Sequence, residues 1–158
     1  MFIKPDFNLK NIYEINFELL KQQGIKCIMF DLDSTIMLSK SASFTPETIK
    51  WFNTFINDFE VVIISNNHKK EYIDNAASIA PCRVIGNAKK PNPKVAKQYL
   101  DEMGIKPTEA VMVGDRPLTD ILVGKFLGCK TILVGSINPN ENIPTKIVRA
   151  LERSTIKK

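Results

Sequence analysis

The stretch Lys26-Cys27-Ile28-Met29-Phe30-Asp31-Leu32-Asp33-Ser34-Thr35 decides the fold. It begins as an apolar run that ends in an acid, which reads as a strand buried on both faces. Polar residues without helical or strand period follow it to about residue 45. The same arrangement recurs along the chain. Val61 to Ser65, Arg83-Val84-Ile85 before Gly86, Ala110 to Gly114 before Asp115, and Thr131 to Gly135 each read as a strand with an abrupt end.

Helical patterns lie between these strands. Leu9, Ile12, Ile15 and Leu19 mark one face of a helix over about 8–22, stopped at Gly24. Thr45-Pro46-Glu47 opens another, since Thr caps well and Pro suits the first turn; Ile49, Phe52, Phe55, Ile56 and Phe59 form its stripe. Further helices are predicted over 68–80, from Asn92-Pro93 to Gly104, and over 118–127 before Gly128. A basic helix at about 144–153 finishes the chain. Strict alternation of strand and helix predicts an α/β fold with a mainly parallel, five-stranded sheet. It forms a single domain over 1–158, with its core at about 24–136.

Composition narrows the class. At 158 residues, 44% hydrophobic and 25% charged, the chain suits one globular domain and excludes a disordered or collagen-like polymer. Cys27, Cys82 and Cys129 are odd in number and widely spaced, which argues against a disulfide framework or zinc knuckle and for a reducing cytosol. No apolar run approaches the roughly 20 residues of a membrane span, and the N-terminus shows no secretory leader. A net charge of +5 favours contact with phosphorylated substrates, anionic lipid or nucleic acid, although solubility alone explains such a balance. Trp51, Phe52, Phe55 and Phe59 have the spacing of a core stripe rather than of a nucleic-acid platform, and the lone His68 reads as a surface residue.

The polar residues of interest all stand where a strand ends: Asp31, Ser65, Lys89-Lys90 and Asp115. In open α/β sheets that edge is the ligand crevice. Asp31 with Asp33, and Asp115 with Asp120, would bring carboxylates together, and converging carboxylates need a cation. Mg²⁺ prefers such oxygen ligands and commonly shares its shell with a substrate phosphate. Helix capping is the simpler use of Asp115 and Asp120. A carboxylate can attack phosphorus if donors neutralise the phosphoryl oxygens. Ser65 and Asn66 precede a helix and could bind phosphate, as could a lysine at 89 or 90; singly, each is an ordinary turn or surface residue.

Together these residues resemble the haloacid dehalogenase (HAD) superfamily of phosphatases. Asp31, Asp33 and Thr35 match its first motif, Ser65 its second, Lys90-Pro91 its third, and Gly114-Asp115 with Asp120 its fourth. The resemblance implies a three-layer Rossmann-like fold and an aspartyl-phosphate mechanism. Asp31 would be the nucleophile and a Mg²⁺ ligand. Asp33 would serve as acid and base, with its backbone carbonyl on the metal. Asp115 would be a metal ligand. Ser65, Asn66 and Lys90 would bind phosphate, and Thr35 and Asp120 would support. Residues 34–64 and 66–89 leave no room for a cap domain, as in the capless subclass IIIA.

Within that subclass the chain is most similar to the YqeG-like branch, which includes phosphatidylglycerophosphate phosphatases. Ile12-Tyr13-Glu14-Ile15, Gly24-Ile25-Lys26, Ser65-Asn66-Asn67, Ala88-Lys89-Lys90-Pro91, Gly114-Asp115 with Thr119-Asp120, and Arg149-Ala150-Leu151-Glu152-Arg153 carry the likeness. Ser34 and Arg116-Pro117 depart from it, without removing a chemical group. The likeness implies Mg²⁺-dependent hydrolysis of a phosphate monoester on a phosphorylated small molecule or lipid headgroup. Phosphatidylglycerophosphate would be the preferred substrate, reached by peripheral contact with an anionic membrane from the cytoplasm, and phosphatidylglycerol the product. Lys4, Lys10, Lys40, Lys157 and Lys158, beside Phe2, Ile3 and Phe7, are the candidates for that contact, although singly each reads as core packing or a frayed tail. A soluble sugar-phosphate, nucleotide or polynucleotide-end phosphatase is the alternative, and no nucleic-acid partner is expected. A phospho-accepting signalling receiver is a third reading. Asp33 speaks against it, because a receiver keeps its phosphoryl group. The oligomeric state is not legible in the sequence.

Overall fold

The computed structural model describes residues 3–37, 43–137 and 153–154. Strand β2 (Cys27–Phe30) runs through the middle of the sheet with every residue fully buried, as its unbroken apolar sequence requires. It pairs in parallel with β3 (Glu60–Ile64) on one side and β5 (Ala110–Gly114) on the other. Outside these lie β4 (Arg83–Ile85), β6 (Lys130–Leu133) and β1 (Phe7–Asn8), giving the order β1-β6-β5-β2-β3-β4.

Alternate strand residues divide the core into two. Ile28, Phe30, Val61, Ile63, Val111 and Val113 face one side, where Leu20, Phe52, Phe55 and Ala76 cover them. Those residues come from α1 (Phe17–Gln22), α2 (Pro46–Asn53) with the turn after it, and α3 (Lys70–Ile79). Cys27, Met29, Val62, Ile64, Ala110 and Met112 face the other side, under Ala96, Tyr99, Leu100 and Val123. Those belong to α4 (Lys94–Met103) and α5 (Leu122–Leu127). The result is three layers, and each fully buried aliphatic side chain contributes about 1.5–3 kcal/mol. Among the described residues only α2 lies between β2 and β3, and only α3 between β3 and β4, so no cap is built there.

Local signals set the element ends. Thr45 accepts from the Thr48 amide at 3.1 Å, with Pro46 in the first turn of α2. Gly104 and Gly128 stop α4 and α5 at φ of 68° and 83°, which a side chain would resist.

The sheet has six strands rather than five, because the chain over 8–22 is not one helix. Phe7–Asn8 pairs with Ile132 and Leu133, and Asp6 fastens it by accepting from the Thr131 amide at 2.8 Å and hydroxyl at 3.1 Å. Asn11 then caps a short 3₁₀ turn by accepting from the Tyr13 amide, and Asn16 caps α1 by accepting from the Leu19 amide. Two asparagine caps in quick succession outweigh the helical spacing of the apolar residues. Beyond β5, the helix expected over 118–127 starts as a π-helical turn, Pro117–Ile121, before α5. The basic helix expected at about 144–153 falls outside the described residues apart from Arg153.

Candidate active site

Parallel register brings the strand ends together. Phe30 lies opposite Val113, and the Asp31 amide donates to the Val113 carbonyl at 2.9 Å. Asp31 and Asp115 therefore leave adjacent strands, with Ser65 one strand away. The loop after β4 is joined to the loop after β3 by backbone bonds from Ala88 to Ser65 at 3.0 Å and from Asn87 to Asn67 at 2.8 Å. Asn66 completes the link: its amide donates to the Lys90 carbonyl at 3.0 Å, and its oxygen accepts from the Lys90 amide at 2.6 Å. This clamp turns Lys90 inward, while Lys89 is exposed at φ 54°.

The Lys90 ammonium is buried, with only 2% of its side chain exposed, and donates to Asp31 Oδ1 and Asp120 Oδ1, each at 2.7 Å. Burial opposes its charge, but Asp120 and then Asp31 outweigh burial and hold it above the usual lysine range. Asp120 reaches Lys90 from the π-helical turn, and its Oδ2 accepts from the Arg116 amide at 3.1 Å. Burial, together with the nearby Asp31 charge, pushes Asp120 up to about 6 against the pull of Lys90. Thr35 donates to Asp115 Oδ1 at 2.9 Å, with Asp31 Oδ2 at 3.4 Å. A Cβ on Gly114 would stand 2.3 Å from the Asp120 carboxyl, so glycine there is a demand for room.

Oxygens of Asp31, Asp115 and Asp120 lie within 4.8 Å of one another, and Asp115 and Asp120 are buried. Lys90 offsets one of the three charges. An all-oxygen cluster with surplus negative charge fits a hard divalent cation such as Mg²⁺. On the same edge Arg153 donates to the carbonyls of Val134 at 2.8 Å and Asp115 at 3.2 Å.

The remaining predicted residues take distinct places. Ser65 is buried and accepts from the Asn67 amide at 3.1 Å, so its own proton can still be donated. The Asn66 side chain, expected to hold phosphate, is engaged by the Lys90 backbone instead. The side chain of Asp33 stands apart from the acidic cluster and accepts from the Tyr72 hydroxyl. Burial raises Asp33 above the ordinary carboxylate range, outweighing that bond. No motif had pointed to Tyr72; helical position after a polar triplet carries no signal that it reaches back 39 residues.

Comparison with known proteins places the chain in a family. Residues 1–137 match the family described as mitochondrial PGP phosphatase. The chain is 33% identical over 153 residues to the probable phosphatase YqeG of Bacillus subtilis (strain 168), spanning 96% of this chain and 88% of that one. It is 28% identical over 167 residues to phosphatidylglycerophosphate phosphatase 1, chloroplastic/mitochondrial, of Arabidopsis thaliana, covering 99% of this chain but 48% of the plant protein, about half its length. In fold it is similar to a HAD-family enzyme of Bacteroides thetaiotaomicron solved in complex with magnesium and inorganic phosphate. The TM-score is 0.53 at 15% identity, over 78% of this chain and 99% of that one.

Proposed function

From the premise that this chain belongs to the mitochondrial PGP phosphatase family, and is a HAD-superfamily phosphatase acting on phosphate monoesters, we propose that its substrate is phosphatidylglycerophosphate. Asp31 attacks phosphorus, the bond to the leaving oxygen breaks, and Asp33 gives that oxygen its proton. Water then attacks the phosphorus of the aspartyl phosphate and returns a proton to Asp33, freeing phosphate and Asp31. Ser65 and the Lys90 ammonium hold the phosphoryl oxygens. Asn66 acts by fixing Lys90, and Thr35 and Asp120 keep Asp115 and Lys90 in place. Asp31, Asp115 and the Asp33 carbonyl would hold Mg²⁺, which when bound neutralises charge on the transferring phosphoryl group.

The observation that carries the phosphoryl-transfer reading is the buried Lys90 bonded to Asp31 beside a cluster with surplus negative charge. The family match and the plant relative support the lipid. An edge with no cap among the described residues also suits a headgroup presented by a bilayer. Lys4 and Lys10 are exposed and available to an anionic surface, whereas Ile3 packs into the core against Ile121 and Leu133. Phe2, Lys40, Lys157 and Lys158 lie outside the described residues. No helix among the described residues is long and apolar enough to cross a membrane.

The test is phosphate release with Mg²⁺ from phosphatidylglycerophosphate in mixed micelles, against a panel of soluble esters, with Asp31→Asn beside each. Preference for the lipid, abolished by the substitution, is expected. Turnover of soluble esters alone would discard the lipid and keep the phosphatase.

A further inference from the structure

We propose that Tyr72 is the positioning residue for Asp33: its hydroxyl holds the carboxyl in the orientation that meets the leaving-group oxygen. The proposal rests on the reading of Asp33 as the acid. Tyr72 stands in the first turns of α3, and its hydroxyl donates to Asp33 Oδ1. Among the described residues it is the side chain that hydrogen-bonds Asp33, on which Lys90 and Asp31 act only through space.

The geometry suits that task. An acid must point at the departing oxygen within hydrogen-bond reach. Asp33 is half-buried on a loop, so its carboxyl needs an outside constraint. A tyrosine ring packed on the core supplies a rigid one: it holds Oδ1 and leaves Oδ2 for the substrate. The start of α3 is itself tied to the phosphate side, because the Lys69 amide donates to Asn67 Oδ1 at 2.9 Å and the Asn67 amide donates to Ser65 Oγ. Tyr72 also borders an open cavity of about 340 Å³ with Lys69, Glu71 and Asn75. Along α3 the residue that orients Asp33 is tied to the loop that carries Ser65.

A hydroxyl that acts through the acid matters only as far as the leaving group needs a proton. An alkoxide needs one, and p-nitrophenolate does not. The decisive quantity is kcat/KM, which reports only steps up to loss of the leaving group. It would be measured on p-nitrophenyl phosphate and on an alkyl phosphate, glycerol 3-phosphate or the lipid, for wild type, Tyr72→Phe, Asp33→Asn and the double variant. Tyr72→Phe is expected to lower the alkyl value about 10- to 100-fold, part of the 10²–10⁴ that acid catalysis supplies. The aryl value should change less than about threefold, which also shows that the variant is folded. In the Asp33→Asn background the second substitution should add nothing. Equal losses on both substrates, or none on either, would overturn the proposal. Leaving-group dependence in Asp33→Asn without any in Tyr72→Phe would sink the Tyr72 role alone. Its absence in Asp33→Asn would sink the reading of Asp33 and this proposal with it.

Discussion

Gly114→Ala adds one methyl group at the end of β5, and its consequence can be worked from distances. The new Cβ would lie 2.3 Å from Asp120 Cγ and Oδ2 and 2.4 Å from Asp120 Cβ. Carbon atoms settle at about 3.5 Å or more, so Asp120 must retreat by roughly 1 Å. That movement breaks its 2.7 Å bond to Lys90, where both side chains are almost fully buried. Losing one partner of a buried pair costs about 3–5 kcal/mol; Asp31 keeps its own bond to Lys90, so about 2–4 kcal/mol is expected. In a domain of this size that is a fall in Tm of roughly 5–15 °C. Phosphatase activity should drop at least about tenfold as Lys90 loses its fixed position. The assay is urea unfolding and Mg²⁺-dependent turnover, repeated in an Asp120→Gly background that removes all three colliding atoms. There the cost of Gly114→Ala should shrink below about 1 kcal/mol. An equal cost in both backgrounds, or a fully stable and active single variant, would refute the reasoning.

Two further outcomes follow from the same contacts. Lys90→Met leaves Asp31 and Asp120 without their cation; with EDTA it should destabilise by about 3–5 kcal/mol, and saturating Mg²⁺ should restore more stability than it adds to wild type, as read by urea melts. Asp6 is held below its ordinary value of 3.8: burial raises it, but the Thr131 amide, Lys125 and the Thr131 hydroxyl together outweigh burial. A depressed carboxylate stabilises above its unfolded pKa and loses that contribution as pH falls through the folded one. Asp6→Asn should therefore cost about 1 kcal/mol at pH 7, discounted for partial exposure, and its stability should converge with wild type only as pH falls from the ordinary value of 3.8 through the lower folded one. A constant difference across that window would assign the effect to shape rather than charge.

The sheet and most of the site were legible because strands buried on both faces leave an uninterrupted apolar trace. Cys27–Phe30 and Ala110–Gly114 carry that trace, and a polar residue follows each. Parallel pairing then does the rest, bringing Asp31 beside Asp115 without any local signal that they meet. The failures have local causes. A two-residue strand such as Phe7–Asn8 is too short to show a period, and its existence depends on Asp6 finding Thr131 across the fold. Asn11 and Asn16 act as caps only once the chain around them has turned. Lys89 and Lys90 are the same residue type in adjacent positions, so only the Asn66 clamp separates the buried one from the exposed one. Asn66 bonds to a backbone partner, which leaves no mark in a motif. Asp120, expected beside Asp115, does join the acidic cluster, but it does so from a π-helical turn where an ordinary helix start was expected.

The strand order has a consequence for how the chain is made. Among the described residues β1 pairs only with β6, and Phe7 waits for Ile132, 125 residues later. A ribosome adding about 5–20 residues per second delivers that partner roughly 6–25 s after Phe7. β2 likewise leaves the exit tunnel with one face of its hydrogen bonds unanswered until β5 arrives. During that interval the most apolar strand of the protein is a half-paired edge, open to chaperones or to a neighbouring nascent chain. Asp31 is made before Asp115 and Asp120, so the acidic cluster cannot form until β5 and the turn after it have emerged. A Mg²⁺ ion held by that cluster, as proposed, would likewise have to wait for β5 to join the central sheet.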